Sequence, residues 1–381
     1  MHLLRISRPR RILGLSALTF AVLTGAASAQ NTQHYTQTNL TSNMSSLAPV
    51  SDSNLINPWG LSRSSGGPRW VSDNGTGLAT LYDGTGTAKS LVVTIPPADP
   101  STKTGSPTGT IFNGSSGFQV MGKPSIFLFV TEDGTVSGWN PGVNLHKAVI
   151  AVNEKGKASF KGATIATANT HWGPQSLLYA ADFRGARVQV FNSSFQRMGE
   201  IEERFQHHEN ENEGGDDDNG IPEGYAPFNV QNIAGDLYVT YAKQDNTKLN
   251  EVDGAGLGFV MVYNAEGKRL HKLQHGAYMN APWGVTLASS DFGAYSHDVL
   301  VGQFGSGEIL AFDPADGHYL GKLVGGNNQA IQISGVWGLS FGNGLGAGSA
   351  TSLYFAAGIN GEQGGLFGKI TPVENVQGND Q

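Results

Sequence analysis

The chain has 381 residues, 53 of them glycine and none cysteine, with 24 Lys and Arg against 31 Asp and Glu for a net charge of −7. The acidic balance argues against nucleic acid as a partner, because phosphate binding needs a basic footprint. Without cysteine there is no disulfide framework, and stability must rest on burial and hydrogen bonding.

Residues 1–29 open with Arg5, Arg8, Arg10 and Arg11, continue in an apolar run from Ile12 to Leu23 and end in Ala27-Ser28-Ala29. A basic start, an apolar stretch and small residues at a cleavage point predict a secretory signal peptide cut after Ala29. The run is short for a membrane span, and no later stretch has the length of a spanning helix. The expected protein is therefore exported, periplasmic or extracellular, with 20 basic and 31 acidic residues left and a net charge of −11.

Glycine stands at roughly twice its ordinary share and is interleaved with Val, Ile, Leu, Phe and Tyr, which reads as short strands joined by tight turns. After the threonine-rich "HYTQTNLTS" (34–42), six hairpins follow in order. They are "RWVSDNGTGLATLYD" (69–83), "IFLFVTEDGTVSGWN" (126–140), "LLYAADFRGARVQVFN" (177–192), "LYVTYAKQDN…LGFVMVYN" (237–264), "VLVGQFGSGEILAFD" (299–313) and "LYFAAGINGEQGGLFGKI" (353–370). Each sets apolar, β-branched and aromatic residues around Gly, Asn or Asp, the residues that supply turn geometry. From Asp73 to Gly358 five steps give a period of roughly 57, near that of a propeller blade with its loops.

A further strand precedes each hairpin, and most are followed by a fourth, such as "SLVVTIP" (90–96), "HKAVIAVN" (146–153), "RLHKLQH" (269–275) and "HYLGKLVG" (318–325). Four strands in six units predict an all-β, six-bladed β-propeller over residues 30–372, with a polar C-terminal tail at 373–381. The last unit lacks its fourth strand, and residues 34–42 have no neighbour to pair with, so the N-terminal strand is predicted to complete the last blade and close the ring. Three strands share one phrase, "NPWGLS" (57–62), "APWGVT" (281–286) and "GVWGLS" (335–340). The phrase should begin the innermost strand, with Gly60, Gly284 and Gly338 allowing close backbone approach. Trp59, Trp283 and Trp337 are expected to pack between neighbouring blades, the alternative being a ring of aromatics lining a ligand pocket.

The hairpins resemble those of NHL-repeat propellers, and "YAADFRGARVQVFN" carries the likeness best. "NPWGLS", "APFNVQNIAGDLYVTYAKQD" and "APWGVTLA" resemble an exported bacterial family of NHL-like propellers without an assigned activity. The resemblance implies a fold and little chemistry, and the other five hairpins depart from the strict NHL pattern.

Catalytic signatures are sparse. "GLSFG" (338–342) matches Gly-x-Ser-x-Gly, but Ser340 falls in a predicted inner strand rather than at a strand-to-helix turn, so the match is read as coincidence. His271 and His275 share a strand face by period two, with solvent exposure the plainer reading than a metal pair. The acidic run 207–224 offers Asp216, Asp217 and Asp218 as weak calcium ligands, although its spacing fails the helix–loop–helix pattern. A solvated insertion is the plainer reading of it. The Pro- and Gly-rich stretch 96–110 reads as a loop before the second blade, and a lid is an alternative.

Propeller geometry gathers loops leading into inner strands and the turns between second and third strands on one face. Asn57, His171 and Asn280 are assigned to the first set, and Asp73, Glu132, Asp182, Arg184, Gln303 and Asn360 to the second. Together they form a candidate ligand-binding mouth, although Asp and Asn at turns commonly bond their own backbone. Some six-bladed propeller lactonases and lyases hold a divalent metal at this place. Two functions are therefore expected in competition. One is a binding or scaffold protein that recognises a partner protein, polymer or small ligand. The other is a metal-assisted hydrolase or lyase using a divalent cation such as calcium.

Overall fold

The computed structural model describes residues 33–171, 173–201 and 220–373. The chain divides into two units, Met1–Thr32 and Gln33–Gln381, and every described residue belongs to the second. The signal segment expected at 1–29, the acidic residues Asp216, Asp217 and Asp218, and the tail beyond Val373 lie outside the described residues.

Six sheets form the blades; a seventh, two-stranded sheet pairs Gln119–Val120 with Lys123–Pro124, and Val50–Ser51 adds a short parallel strand beyond Tyr35–Ser42 in blade six. Blade one comprises Pro58–Arg63, Arg69–Asp73, Leu78–Tyr82 and Val93–Thr94. Blade two comprises Pro107–Phe112, Phe127–Thr131, Thr135–Trp139 and Val149–Asn153. Blade three comprises Phe160–Thr170, Gly173–Asp182, Arg187–Phe191 and Arg197–Ile201. Blade four comprises Tyr225–Ile233, Asp236–Gln244, Phe259–Tyr263 and Arg269–Lys272, and a short strand, Glu251–Val252, pairs with its second strand. Blade five comprises Pro282–Leu287, Val299–Gln303, Ile309–Phe312 and Tyr319–Lys322. Blade six takes Val336–Phe341, Leu353–Ala357 and Leu366–Pro372 from the end of the chain, and its outer strand, Tyr35–Ser42, from the beginning.

The closing strand runs antiparallel from Tyr35 opposite Pro372 to Ser42 opposite Leu366. It is held at both ends. Tyr35 donates its hydroxyl to the Phe292 carbonyl of blade five at 3.0 Å, and Thr41 donates to the Gly86 carbonyl of blade one at 2.6 Å. First strands of successive blades contact one another around the whole ring, including blade six against blade one.

The core follows from period-two alternation. Leu178 and Ala180 of blade three join a cluster with blade two, while Leu177, Tyr179 and Ala181 of the same strand join one with blade four. Each of the six seams holds one such cluster. Because both faces of a blade are covered, second and third strands such as "FVMVY" and "LYFAA" are apolar throughout.

A seventh cluster sits on the axis and contains Trp59, Trp283 and Trp337 with Phe183 and Phe228. This corrects the expected packing of the tryptophans between blades. Trp59 stacks on Trp337 at 3.6 Å and meets Trp283 edge-on at 5.8 Å and Phe228 at 6.4 Å. Blades one and four are opposite each other, so Trp59 and Phe228 can meet only across the axis.

The cause is local. In every blade the first strand slips register against the second at one place, at Trp59, Thr108, Lys161, Phe228, Trp283 and Trp337. A bulge re-aims the side chain it carries, and here it turns Trp59, Phe228, Trp283 and Trp337 toward the axis, while Thr108 donates to the Val130 and Phe160 carbonyls. The following glycine lets the next blade approach. A β-carbon on Gly60 would lie 2.5 Å from the Thr108 carbonyl oxygen, and one on Gly338 would lie 2.5 Å from that of Trp59. Blade four has Asn229 in this place, and its side-chain amide donates to the Trp283 carbonyl at 2.9 Å.

Candidate functional site at the axial mouth

The aromatic plug forms the floor of a polar mouth. Lys161 occupies blade three's bulge, where blade two carries Thr108 and the other four blades carry Trp or Phe, and its side chain is 2% exposed. Its ammonium lies 5.2 Å from the Trp59 ring and 5.8 Å from the Phe183 ring, and donates to Glu132 Oε1 at 2.5 Å. Glu132 stands in the second–third turn of blade two and accepts from Asn74 Nδ2 at 2.8 Å. Asn57 donates to Asn74 Oδ1 at 3.3 Å and to Glu362 Oε2 at 2.7 Å, and accepts from Trp337 Nε1 at 3.0 Å. One chain of hydrogen bonds thus links blades six, one, two and three around the axis. Asn57 adopts a left-handed backbone (φ 47°) just before its strand, a conformation Asn tolerates better than most residues.

The insertion between the second and third strands of blade four brings Glu251 and Asp253 to the same mouth. Asn280 Oδ1 holds that insertion by accepting from Gly254 N at 2.8 Å, and Gln303 Oε1 holds Asn280 by accepting from its N–H at 2.8 Å. Burial pulls the Lys161 ammonium down, but Glu132, Glu251 and Glu362 outweigh it and keep its pKa above the ordinary lysine value. Burial pushes the Glu251 carboxyl up to about 7 against the opposing pull of Lys161. Glu362 is raised by burial, with its hydrogen bond from Asn57 pulling the other way, and Asp253 is raised by burial. Three carboxylates, Glu132, Glu251 and Glu362, therefore act on one ammonium, and burial disfavours the charged forms of Glu251, Asp253 and Glu362.

The nine residues assigned to the mouth divide by place. Asn57 and Glu132 belong to the hydrogen-bonded chain, and Asn280 and Gln303 position the blade-four insertion. Arg184 and Asn360 are exposed at the second–third turns of blades three and six. Asp182 is buried, accepting from Ser159 N at 3.1 Å, Gly185 N at 3.0 Å and Gln189 Nε2 at 3.0 Å, so it ties its own hairpin together. Asp73 is also buried; its Oδ2 accepts from Thr80 Oγ1 at 2.7 Å, and its Oδ1 has no partner. His171 is at the other end of its blade. It follows Thr170 in the turn from the first to the second strand, whereas the mouth end of that pair is Phe160 opposite Asp182. The loop placement expected for His171 is corrected: blade three's first strand lies ahead of it, not after it.

Outside the mouth, Ser340 lies within the inner strand of blade six, as expected. His275 stacks on Phe259 at 4.5 Å, and His271 sits on the outer strand of blade four opposite Val262. The 96–110 stretch is fastened to blade two, by Ala98 N donating to Asp133 at 2.5 Å and by the Lys155–Asp99 ion pair at 2.5 Å. A cavity of about 440 Å³ at the blade three–four seam is lined by Leu177, Tyr179, Met198, Glu200 and Glu266, none of them at the mouth. Lys161, Glu251, Asp253 and Glu362 escaped the sequence reading. Aligning all six copies of the bulge, Phe-Lys-Gly with Pro-Trp-Gly, would have singled out Lys161.

The chain is 33% identical to an uncharacterized protein of Acanthamoeba polyphaga mimivirus over 309 residues, which cover 79% of this chain and 77% of the relative. A second uncharacterized protein of that virus is 30% identical over 309 residues, covering 79% and 72%. This chain belongs to their family. No family model matches it. Among solved structures, a structural genomics protein of unknown function from Bacteroides thetaiotaomicron aligns with a TM-score of 0.52 at 11% identity, covering 90% of this chain and 77% of that one. Virginiamycin B lyase from Staphylococcus aureus aligns at 0.48 with 10% identity, covering 90% and 100%. At such identities the likeness is one of fold. The family members named here are viral, and their descriptions assign neither export nor ligand.

Proposed function

We propose that this family member is an exported binding propeller whose axial mouth receives a partner protein, polymer or small ligand. The observation that carries the reading is the cluster of Glu132, Glu251 and Glu362 around Lys161, with Asp253 acting on Glu251 and Glu362, above an axis plugged by aromatic rings. Loops from separate blades supply these groups, and a closed floor makes the mouth a cup rather than a channel. Its excess of carboxylates favours cations and hydrogen-bond donors over anions. Export rests on the basic, apolar and small-residue order of residues 1–29.

A thermal-shift screen of amines, sugars and short peptides against the whole chain tests this reading, with Glu132→Gln and Glu362→Gln as mouth variants. A ligand that binds should raise the melting temperature of the parent by the mass-action amount and lose that effect in both variants. Ligands that shift parent and variants alike would sink the mouth as the binding place.

The metal-assisted hydrolase or lyase reading finds support in Glu251, whose carboxyl is poised near neutrality as a general acid or base requires. Lys161 already supplies positive charge where the carboxylates converge, so a divalent cation would have to compete with it. Melts with added calcium and with chelator measure that competition directly. A saturable calcium shift abolished by Glu251→Gln favours the metal reading.

A further inference from the structure

The seam between blades six and one contains a buried cation. Arg69, on the second strand of blade one, is wholly buried. Its Nη2 donates to the carbonyl oxygens of Phe341 at 3.3 Å and Ala347 at 3.2 Å, and its guanidinium carbon lies 4.4 Å from the Tyr354 ring centroid. Its Nε and Nη1 have no acceptor. Arg63 is paired with it across the hairpin and donates Nε to the same Phe341 oxygen at 2.7 Å.

Two guanidinium groups therefore converge on one carbonyl oxygen. Among the described residues neither is ion-paired with a carboxylate. A guanidinium does not escape burial by losing its proton at neutral pH. Burial, with the Arg63 charge behind it, draws the Arg69 pKa down only to about 9. Carbonyl dipoles and a tyrosine face offset part of the desolvation, but they bring no negative charge. Water could accept from Nε and Nη1, yet it would leave two like charges together in a low-dielectric seam.

We propose that a small monovalent anion of halide size binds at the blade six–one seam, accepting from the unpaired N–H groups of Arg69, with half-buried Arg63 supplying the second charge. Complete burial of Arg69 sets the size limit and disfavours a large organic anion. The ion would tie blade one to the Phe341 and Ala347 region of blade six, where the ring closes.

The test uses the whole chain, melted in sodium chloride and in sodium gluconate at matched ionic strength, together with crystals soaked in bromide. Chloride should raise the melting temperature saturably relative to gluconate, and a bromide anomalous peak should stand within hydrogen-bonding distance of Arg69. Arg69→Met should abolish both effects. If that variant fails to fold, Arg63→Gln, at a half-buried position, should diminish the chloride increment. Identical melts in the two salts with no bromide peak at Arg69 would mean that the seam holds only water, and would overturn the proposal.

Discussion

Asp73 and Lys161 are both buried charged residue types with opposite outcomes. Lys161 keeps its charge because carboxylates surround it, whereas Asp73 has only the Thr80 hydroxyl, and burial raises its carboxyl well above the ordinary aspartate range. The folded chain therefore holds a proton that the unfolded chain releases near pH 3.9. Between that pH and the higher folded value, stability falls as pH rises, by at most about 1.4 kcal/mol per pH unit. Asp73→Asn removes the ionisation. It is expected to flatten the stability–pH curve above pH 4 and to raise the melting temperature at pH 7–8, measured by denaturation across pH. Glu251 gives a separate expectation at the mouth. Its carboxyl ionises near pH 7, so affinity for an alkylammonium ligand should grow several-fold between about pH 6 and 8. Glu251→Gln should remove that dependence in calorimetric titrations; an unchanged slope would assign the titration to another group.

At the scale of the strand, the bulge decides more than the strand's own propensity. Period two alone would send Trp59, Trp283 and Trp337 into the seams, as apolar residues of neighbouring positions go. The one-residue slip turns them toward the axis instead, and the glycine after each allows the next blade to approach. Gly338→Ala places a β-carbon 2.5 Å from the Trp59 carbonyl, and overpacking of that kind costs about 1–3 kcal/mol. Gly326→Ala, with no atom within 4 Å of the added carbon, serves as the control and should melt near the parent. Equal melting of the two variants would show that the blades separate without penalty. Removing an axial ring should cost more: Trp337→Ala is expected to lose about 3–5 kcal/mol in denaturant titrations.

For the whole molecule, ring closure is the decisive event. Tyr35–Ser42 pairs with Leu366–Pro372 across the full sequence, while Tyr35 and Thr41 reach blades five and one. Deleting residues 33–42 should leave Leu366–Pro372 as an open edge, prone to association with other chains. Size-exclusion chromatography should show aggregation and a loss of the cooperative melt. Adding a synthetic peptide of residues 33–51 in trans should restore part of both; a deletion variant that stays monomeric with the parent's melting point would refute the closing role.

Hairpins, their turns and the number of blades were legible in the sequence because strand alternation and turn chemistry are written within a dozen neighbouring residues. The closing strand was legible too, since one unpaired strand and one incomplete sheet left a single match. The mouth was legible only in part. Asn57 and Glu132 were reachable from repeat position, but Lys161, Glu251 and Glu362 come from blades three, four and six, and nothing local brings them together. His171 was misplaced because the first strand of blade three, Phe160–Thr170, precedes it, which puts it in the first–second turn, on the face away from the mouth. Local sequence determined each sheet and the order of the ring; only the closed tertiary structure decided which side chains meet on the axis, because that meeting depends on a bulge in each blade and on groups held together across the ring.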